Sequence, residues 1–233
     1  MIANRAIMAL MNERTLQILE AAVQGFIATG DPVSSGWLFD HYNFGIKPAT
    51  IRLELDALEA EGYLEQPHHS AGRVPTDTGY EFFAKQLLGT VPESREPTLT
   101  ELFQERAWPD LLSHLSAELR LMSIAADLAR NAVYKIGLEA LVDCLDWESR
   151  DEIRSVIRDF EEMDERLPRA AEKAGAAGEA PKVFIGRKSP LTKSENLSVV
   201  GGNYRLDGET ICIFAVGPKR MDYRKVIRIF KSL

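Results

Sequence analysis

The stretch from Lys47 to Tyr80, KPATIRLELDALEAEGYLEQPHHSAGRVPTDTGY, decides the fold of the N-terminal part of the chain. Pro48 favours a first helical turn, where the N–H that proline lacks has no partner to lose. Three apolar residues follow at i, i+4 and i+7, the spacing of one buried stripe on a helix: Ile51, Leu55 and Leu58. Gly62 then favours a helix end. We therefore predict a helix over residues 47–61.

The opposite face of this predicted helix has a different character. With successive residues about 100° apart, it is formed by Ala49, Thr50, Leu53, Asp56, Ala57 and Ala60, with Arg52 on its flank. Small side chains allow a helix to lie deep in the major groove of DNA. The pattern therefore favours a DNA recognition helix.

A short polar hairpin is predicted directly after the helix. Residues 63–66 are typical of an extended segment, and residues 67–75 combine turn formers with two imidazoles, a hydroxyl and a guanidinium. Thr76 is suited to cap the helix that follows. A recognition helix followed by a strand and a polar hairpin indicates a winged helix-turn-helix, with residues 63–76 as the wing.

The residues upstream agree with this interpretation. Residues 12–15, NERT, are typical of a helix start, and the apolar face that follows continues to Ile27. Residues 29–35, TGDPVSS, then predict a turn and the cap of a second helix. We therefore predict a winged-helix DNA-binding domain over residues 1–90.

Eight residues are predicted to contact DNA: Lys47, Thr50, Arg52, Leu53, His68, His69, Ser70 and Arg73. Side chains at the helix start reach base edges or phosphates, and those of the hairpin reach phosphates or the minor groove. For the helix residues the alternative is an ordinary exposed helix start. For Arg73 the alternative is that it holds the hairpin by bonding to its carbonyls. Metal binding by the two adjacent histidines is disfavoured, because carboxylate or thiol partners are not nearby.

The amino-acid sequences of these segments resemble those of one protein family. ATIRLELDALEAEGYL followed by QPHHSAGRVPTDTGY, with TGDPVSS upstream, is similar to the DNA-binding domain of the heat-inducible transcription repressor HrcA family. The tail also resembles this family, at Ile185-Gly186, Asn196, Tyr204 and 217–223. The resemblance implies a homodimeric repressor of heat-shock (chaperone) genes that binds an inverted-repeat DNA operator and is supported by a chaperonin.

Two features depart from the family pattern. The chain is shorter than typical members, which implies a reduced GAF-like C-terminal domain without the inserted dimerisation domain. Leu53 stands where the family usually has Asn, so an amide that reads adenine is replaced by an apolar side chain suited to a thymine methyl. An altered operator is expected.

Net charge argues against strong non-specific DNA binding. Residues 1–90 contain six basic and eleven acidic side chains, a net charge of −5. Affinity for phosphates rises with the number of cationic contacts. Many of the acidic residues lie towards the end of the predicted helix that is away from its N-terminus: Glu54, Asp56, Glu59, Glu61 and Glu65. The alternative function is an interaction or regulatory protein that uses the winged helix for protein contacts or has lost DNA binding.

The remainder predicts an α+β fold, with a winged-helix domain followed by helices and a reduced GAF-like domain. Residues 91–130 are expected to form a linker and a helix whose apolar face is either core or a dimer contact. Within residues 131–233 we predict helices over 136–145 and 147–167 and a flexible loop near 169–181. Strands are expected over 182–186, 197–200 and 210–216, the last two joined at Asp207-Gly208, before a final helix. A small-molecule sensor is a third possibility, although the sequence shows no convergent polar pocket.

Composition and the absence of known motifs disfavour several classes of protein. The chain has 233 residues, 45% of them hydrophobic and 27% charged, as in ordinary globular proteins. It has no phosphate-binding glycine loop, nucleophile elbow or HExxH motif, so an enzyme is disfavoured, and no cofactor or metal site is predicted. Cys144 and Cys212 lie far apart and are expected to be core thiols. No apolar run is long enough for a membrane span, and the N-terminus lacks the charged-then-apolar order of a signal peptide, so a cytoplasmic, nucleoid-associated protein is expected.

Overall fold

A computed structural model describes residues 12–94, 96–144, 150–179 and 181–233. In these residues the chain combines α-helices with antiparallel strands, so the predicted α+β class is confirmed. The chain divides into two units, Met1–Phe83 and Ala84–Leu233. Trp147, at the predicted start of one helix, and Leu145, at the predicted end of another, lie outside the described residues.

The first unit consists of helices followed by a two-stranded hairpin. Its elements are α1 (Glu13–Thr29), α2 (Ser35–His41), α3 (Pro48–Ala60), β1 (Leu64–Glu65), β2 (Val74–Pro75) and the start of α4 (Asp77–Thr90). The Asn12 side chain caps α1 by accepting from the Thr15 N–H at 2.9 Å, and Gly30 ends the helix at φ 76°. Ser34 caps α2 in the same way, through the Trp37 N–H. Polar caps thus set the helix starts where the sequence predicts them.

The apolar stripe of α3 lies in the core of this unit. Ile51, Leu55 and Leu58 are buried as the periodicity predicts. They lie among the other buried apolar residues of the unit: Ile18, Leu19, Val23, Val33, Leu38, Leu64 and Tyr80. Burial of this stripe determines which face of α3 is left on the surface.

The second unit is built on a five-stranded antiparallel sheet of order β4-β3-β7-β6-β5. Its elements are α5 (Pro97–Gln104), α6 (Trp108–Leu119), β3 (Met122–Asp127), β4 (Ala132–Ile136), α7 (Leu138–Asp143), α8 (Arg150–Ala174), β5 (Lys182–Ile185), β6 (Leu197–Leu206), β7 (Glu209–Pro218) and α9 (Tyr223–Phe230). The long β6–β7 hairpin turns at Asp207 and Gly208, both at positive φ, as the Asp-Gly pair predicts.

Helices cover both faces of this sheet, as two neighbouring residues of β6 show. Asn203 donates its side-chain N–H to the carbonyls of Ala171 and Gly175 at the end of α8, at 2.8 and 2.7 Å. Tyr204 donates its hydroxyl to the carbonyl of Phe230 in α9 at 2.9 Å. Because successive side chains of a strand point to opposite faces, α8 and α9 lie on opposite sides of the sheet.

Two predictions for this unit are wrong. Residues 122–127 and 132–136, predicted as helix or linker, form strands β3 and β4. All six residues of β3 are buried and those of β4 are mostly half-buried, so neither strand shows the alternation of buried and exposed positions that would reveal it. The expected flexible loop near 169–181 is helical to Ala174, since Ala170, Ala171 and Ala174 are buried in the core under α8. Two alternatives were open for the apolar face over residues 111–115, core or dimer contact, and the structure favours the core, because Leu111, Leu112 and Leu115 are fully buried.

The cysteines follow the expectation in part. Cys212 is fully buried in β7, and burial raises the pKa of its thiol to about 11. Cys144 is half-buried, and its thiol donates to the Arg120 carbonyl at 3.3 Å. Of the two, Cys212 is therefore the core thiol.

A buried carboxylate joins α8 to the segment before β6. Asp159 is 2% exposed and accepts hydrogen bonds from the backbone N–H groups of Lys193 and Ser194, at 2.8–2.9 Å. The guanidinium of Arg166 lies 2.6 Å from the same carboxylate. These donors compensate the loss of water around a charge that would otherwise be costly to bury.

Asp159→Asn is therefore expected to destabilise the second unit by about 1.5–3 kcal/mol, because it weakens the hydrogen bonds to a buried charged group while Arg166 keeps its second partner, Glu162. The control is Asp151→Asn on the same helix, whose exposed ion pair with Arg154 should contribute less than about 0.5 kcal/mol. Urea unfolding followed by circular dichroism measures both. Equal unfolding midpoints for the two variants would contradict the assignment.

Candidate nucleic-acid interface

The exposed face of α3 has the composition predicted for it. Ala49, Arg52, Leu53, Asp56, Ala57 and Ala60 are exposed, and Thr50 is partly exposed. Leu53 is 68% exposed, the largest value among the exposed large apolar side chains of the described residues. The exposed face of the helix thus consists mainly of small side chains, from which the apolar side chain of Leu53 projects.

The N-terminal half of α3 carries the positive charge of this face. Lys47 is the N-cap residue; its backbone carbonyl accepts from the N–H groups of Thr50 and Ile51, and its side chain is exposed. The first turn contains no acidic residue. Because the N-terminus of a helix also carries partial positive charge, this end of α3 attracts anions.

One acidic residue of α3 is paired on the side away from that face. Glu54 accepts a 2.6 Å hydrogen bond from the Thr15 hydroxyl and lies 2.9 Å from the guanidinium of Arg14 in α1. Its charge is therefore balanced inside the unit. The sequence predicts only that Glu54 lies away from the start of the helix. It does not predict the pairing with Arg14, because periodicity does not reveal a partner 40 residues away.

The hairpin tip is organised by Gln66, a residue that no sequence pattern singles out. Its side chain donates to the carbonyls of His69 and Ala71, at 3.2 and 2.9 Å. The predicted contact residues His68, His69 and Ser70 lie exposed on this tip. A Gln at the base of a turn-rich loop is a weak signal, which is why sequence reasoning missed it.

The hairpin is also attached to the segment between α1 and α2. Val33 and Arg73 form a two-bond antiparallel bridge, with N–O distances of 2.9 and 2.8 Å. Gly72 allows the two backbones to approach, because a Cβ there would lie 2.5 Å from the carbonyl carbon and oxygen of Val33. The hairpin is thus held at a fixed place beside α3.

The structure shows Arg73 paired with two carboxylates, and its predicted contact with DNA stays a prediction. Its guanidinium lies 2.7 Å from Asp56 Oδ1 and 2.9 Å from Glu59 Oε2, both on α3, and its side chain is 11% exposed. It therefore joins the hairpin to the helix through carboxylates and not through the hairpin carbonyls.

These elements enclose a cleft of about 300 Å³ between the start of α2, the flank of α3 and the hairpin tip. The polar side chains that line it include Ser34, Ser35, Arg52, Asp56, His69 and Ser70. The cleft brings together four residues predicted to contact DNA: Arg52, His69, Ser70 and Arg73. Lys47, Thr50, Leu53 and His68 are not among the residues that line it.

Neither a metal site nor a membrane span is found in the described residues. Among them, no group of three or more His, Cys, Asp or Glu side chains is placed to hold a metal ion. In that part of the chain no helix is both long and apolar enough to cross a membrane.

Comparison with known proteins identifies the family. The family model of the HrcA protein C-terminal domain matches residues 80–227, more than half of the chain. The chain belongs to the HrcA family. The five-stranded antiparallel sheet with helices on both faces is consistent with the GAF-like domain expected for an HrcA C-terminal region.

Individual relatives agree with this assignment. The heat-inducible transcription repressor HrcA of Frankia casuarinae is 46% identical over 86 residues, which cover 37% of this chain and 25% of that protein. The repressor of the same name from Thermobifida fusca is 37% identical over 141 residues, which cover 56% and 41%. The chain thus spans about a quarter to two fifths of the length of these HrcA relatives.

A solved structure shares the fold. The crystal structure of a hypothetical protein superposes with a TM-score of 0.73 at 18% sequence identity, covering 97% of each chain. At this identity the likeness shows the fold alone.

Gly72→Ala is expected to destabilise the first unit by about 1–3 kcal/mol, because the added methyl group would force the hairpin backbone away from Val33. Gly89→Ala is the matched control, since a Cβ at Gly89 would meet no atom within 4 Å and the position is helical. The control should be neutral or stabilising by up to about 1 kcal/mol. Chemical unfolding of both variants checks the difference, and an unchanged Gly72→Ala variant would show that the close approach is not required.

Proposed function

We propose that this protein is a sequence-specific DNA-binding transcriptional repressor of heat-shock (chaperone) genes. Its first unit acts as a winged helix-turn-helix, with α3 as the recognition helix and residues 63–76 as the wing. The observation that carries the proposal is the exposed face of α3: small side chains, Lys47 and Arg52 towards its N-terminus, and a fixed polar hairpin beside it. Membership of the HrcA family and the names of its relatives support it.

The dimensions of α3 suit this role. A helix of 13 residues is about 20 Å long, and the major groove is about 12 Å wide and admits one helix. Thr50 and Arg52 then reach base edges or phosphates, and Leu53 contacts a thymine methyl group. His68, His69 and Ser70 on the wing contact the flanking phosphates or the minor groove.

Dimerisation completes the proposal. An inverted-repeat operator presents the same half-site twice, and a homodimer places one α3 in each of two successive major grooves. Occupation of a promoter then blocks transcription, in the cytoplasm on the nucleoid. Heat relieves repression when the second unit loses its native structure, and a chaperonin assists its refolding.

One observation favours a second candidate, a protein-binding module. Residues 1–90 are net acidic, and Leu53 projects from the centre of the α3 face. An exposed leucine on a low, partly apolar surface also suits contact with an apolar groove of a protein partner. The two candidates differ in their dependence on phosphate charge.

Arg52→Ala and Lys47→Ala are expected to weaken binding to DNA because each removes a cation that faces a phosphate or base. The probe is a fluorescein-labelled duplex that the unaltered chain selects from a random pool, and anisotropy at several salt concentrations gives the affinity. Where the variant no longer neutralises one phosphate per half-site, the slope of log K against log salt should fall by about 0.9. Lys85→Ala, an exposed lysine of α4, is the control and should change neither quantity. If no duplex is selected, the protein-binding module is favoured instead.

Replacement of thymine by uracil tests the role of Leu53. Uracil lacks only the methyl group, so substitution at the recognised step should weaken binding by the unaltered chain about fourfold, which corresponds to about 0.8 kcal/mol for one buried carbon group. The Leu53→Ala variant should be insensitive to the same substitution. A scan in which no thymine position distinguishes the two proteins would remove Leu53 from the interface.

A further inference from the structure

The acidic residues of α3 present a difficulty for DNA binding at the cleft. Among the described residues that line the cleft, Asp56 is the one residue with a carboxylate. Glu59 lies one helical turn further along α3. Asp56 is exposed, and Glu59 is partly exposed. An unpaired carboxylate repels a phosphate, and the repulsion grows as water is removed from between them. Some group must offset these two charges before the backbone of a duplex can approach.

Arg73 is placed to do this. Its guanidinium lies within 2.9 Å of both carboxylates, although it belongs to the hairpin and they belong to the helix. The Val33 bridge and the close approach at Gly72 hold the backbone of Arg73 in place. The ion pairs are therefore not a chance contact of two mobile surface side chains, whose contribution is usually small.

The rest of the cleft is suited to a single phosphate group. Ser35, Arg52, His69 and Ser70 supply hydroxyl, guanidinium and imidazole groups to its walls. A volume of about 300 Å³ corresponds to about ten water molecules, enough for a phosphate and the water that it retains. With Asp56 paired with Arg73, the remaining charged side chain of the lining is the cation Arg52.

We propose that Arg73 is a positioning residue for DNA binding. It pairs with Asp56 and Glu59, which offsets one of their two negative charges, and it holds the hairpin so that the cleft takes one backbone phosphate of the duplex. The inference rests on the proposed function and names the ligand of the cleft, a phosphodiester. It also reverses the simplest interpretation of Arg73: removal of this arginine weakens binding by exposing two carboxylates and not by removing a cation that touches DNA.

The test compares Arg73→Met with the triple variant Asp56→Asn/Glu59→Gln/Arg73→Met, in the full chain and with the selected duplex. Methionine keeps an unbranched apolar stem but removes the charge. Arg73→Met should lower affinity about tenfold at low salt, and the loss should become smaller as the salt concentration rises, because salt screens the repulsion between the carboxylates and the phosphate. The triple variant should return to within about threefold of the unaltered affinity, because the repelling carboxylates are gone.

Each other result overturns the inference. If Arg73 itself bound a phosphate, the triple variant would stay weak, and its slope of log K against log salt would stay reduced by about 0.9 per half-site. If Arg73 were only a stabilising residue, the decrease in affinity would follow the folded fraction measured by thermal unfolding, and Arg73→Lys, which keeps the charge, would bind as weakly as Arg73→Met. Arg154→Met, which removes an exposed ion-paired arginine of the second unit, is the matched control and should change nothing.

A second arm addresses the ligand. A duplex in which single phosphates are replaced by neutral methylphosphonates should reveal one position per half-site where the unaltered chain binds more weakly and the His69→Ala variant is not weakened further. No such coupled position would overturn the phosphate assignment of the cleft while leaving the proposed function intact. If the unaltered chain binds no duplex, the proposed function fails, and the inference fails with it.

Discussion

The surface of the first unit depends on one interaction, the attachment of the hairpin to the body of the unit at residues 72–73. Two backbone hydrogen bonds join Arg73 to Val33, and the absence of a side chain at Gly72 allows them to form. Without this attachment, a hairpin with two-residue strands would have little to hold it, since short isolated hairpins are marginal in water. The cleft, the position of the exposed imidazoles and the pairing of the α3 carboxylates all follow from it.

The second unit uses a related device, in which buried polar groups join elements that are distant in sequence. Asn203 binds the last carbonyls of α8 and so replaces the intrahelical partners that those carbonyls lack. Asp159 binds backbone N–H groups of the segment that leads to β6. The Asp159 carboxylate and the side-chain amide nitrogen of Asn203 have hydrogen-bond partners in this arrangement, whereas Asn203 Oδ1 is buried without one. The bonds that do form favour this position of α8 on the sheet.

The sequence predicts the parts of this molecule that depend on local periodicity and turn chemistry. The buried stripe of α3 follows from the 3.6-residue repeat, and the β6–β7 turn follows from Asp207-Gly208, where both residues must adopt positive φ. Strand β3 could not be predicted because all six of its residues are buried, which removes the alternation that distinguishes a strand. The last turns of α8 could not be predicted because small residues such as Ala170 resemble a linker until the sheet that buries them is known.

The same distinction between local pattern and tertiary contact applies to the candidate interface. Exposure of Arg52 and Leu53 requires only that the opposite face be buried. The partners of Arg73 lie 17 and 14 residues before it and are brought to it by the hairpin fold.

Net charge alone is a poor guide to the function of this unit. Six basic side chains against eleven acidic ones argue against DNA binding only if each charge acts on its own at the surface. Glu54 is paired with Arg14, and Asp56 and Glu59 share Arg73, so two bases offset two of the three negative charges of these acids. Lys47 and Arg52 remain on the exposed face of α3, near the helix end whose dipole also favours anions. The field at the interface is therefore set by where the charges are paired, and the same composition is compatible with a surface that attracts phosphate.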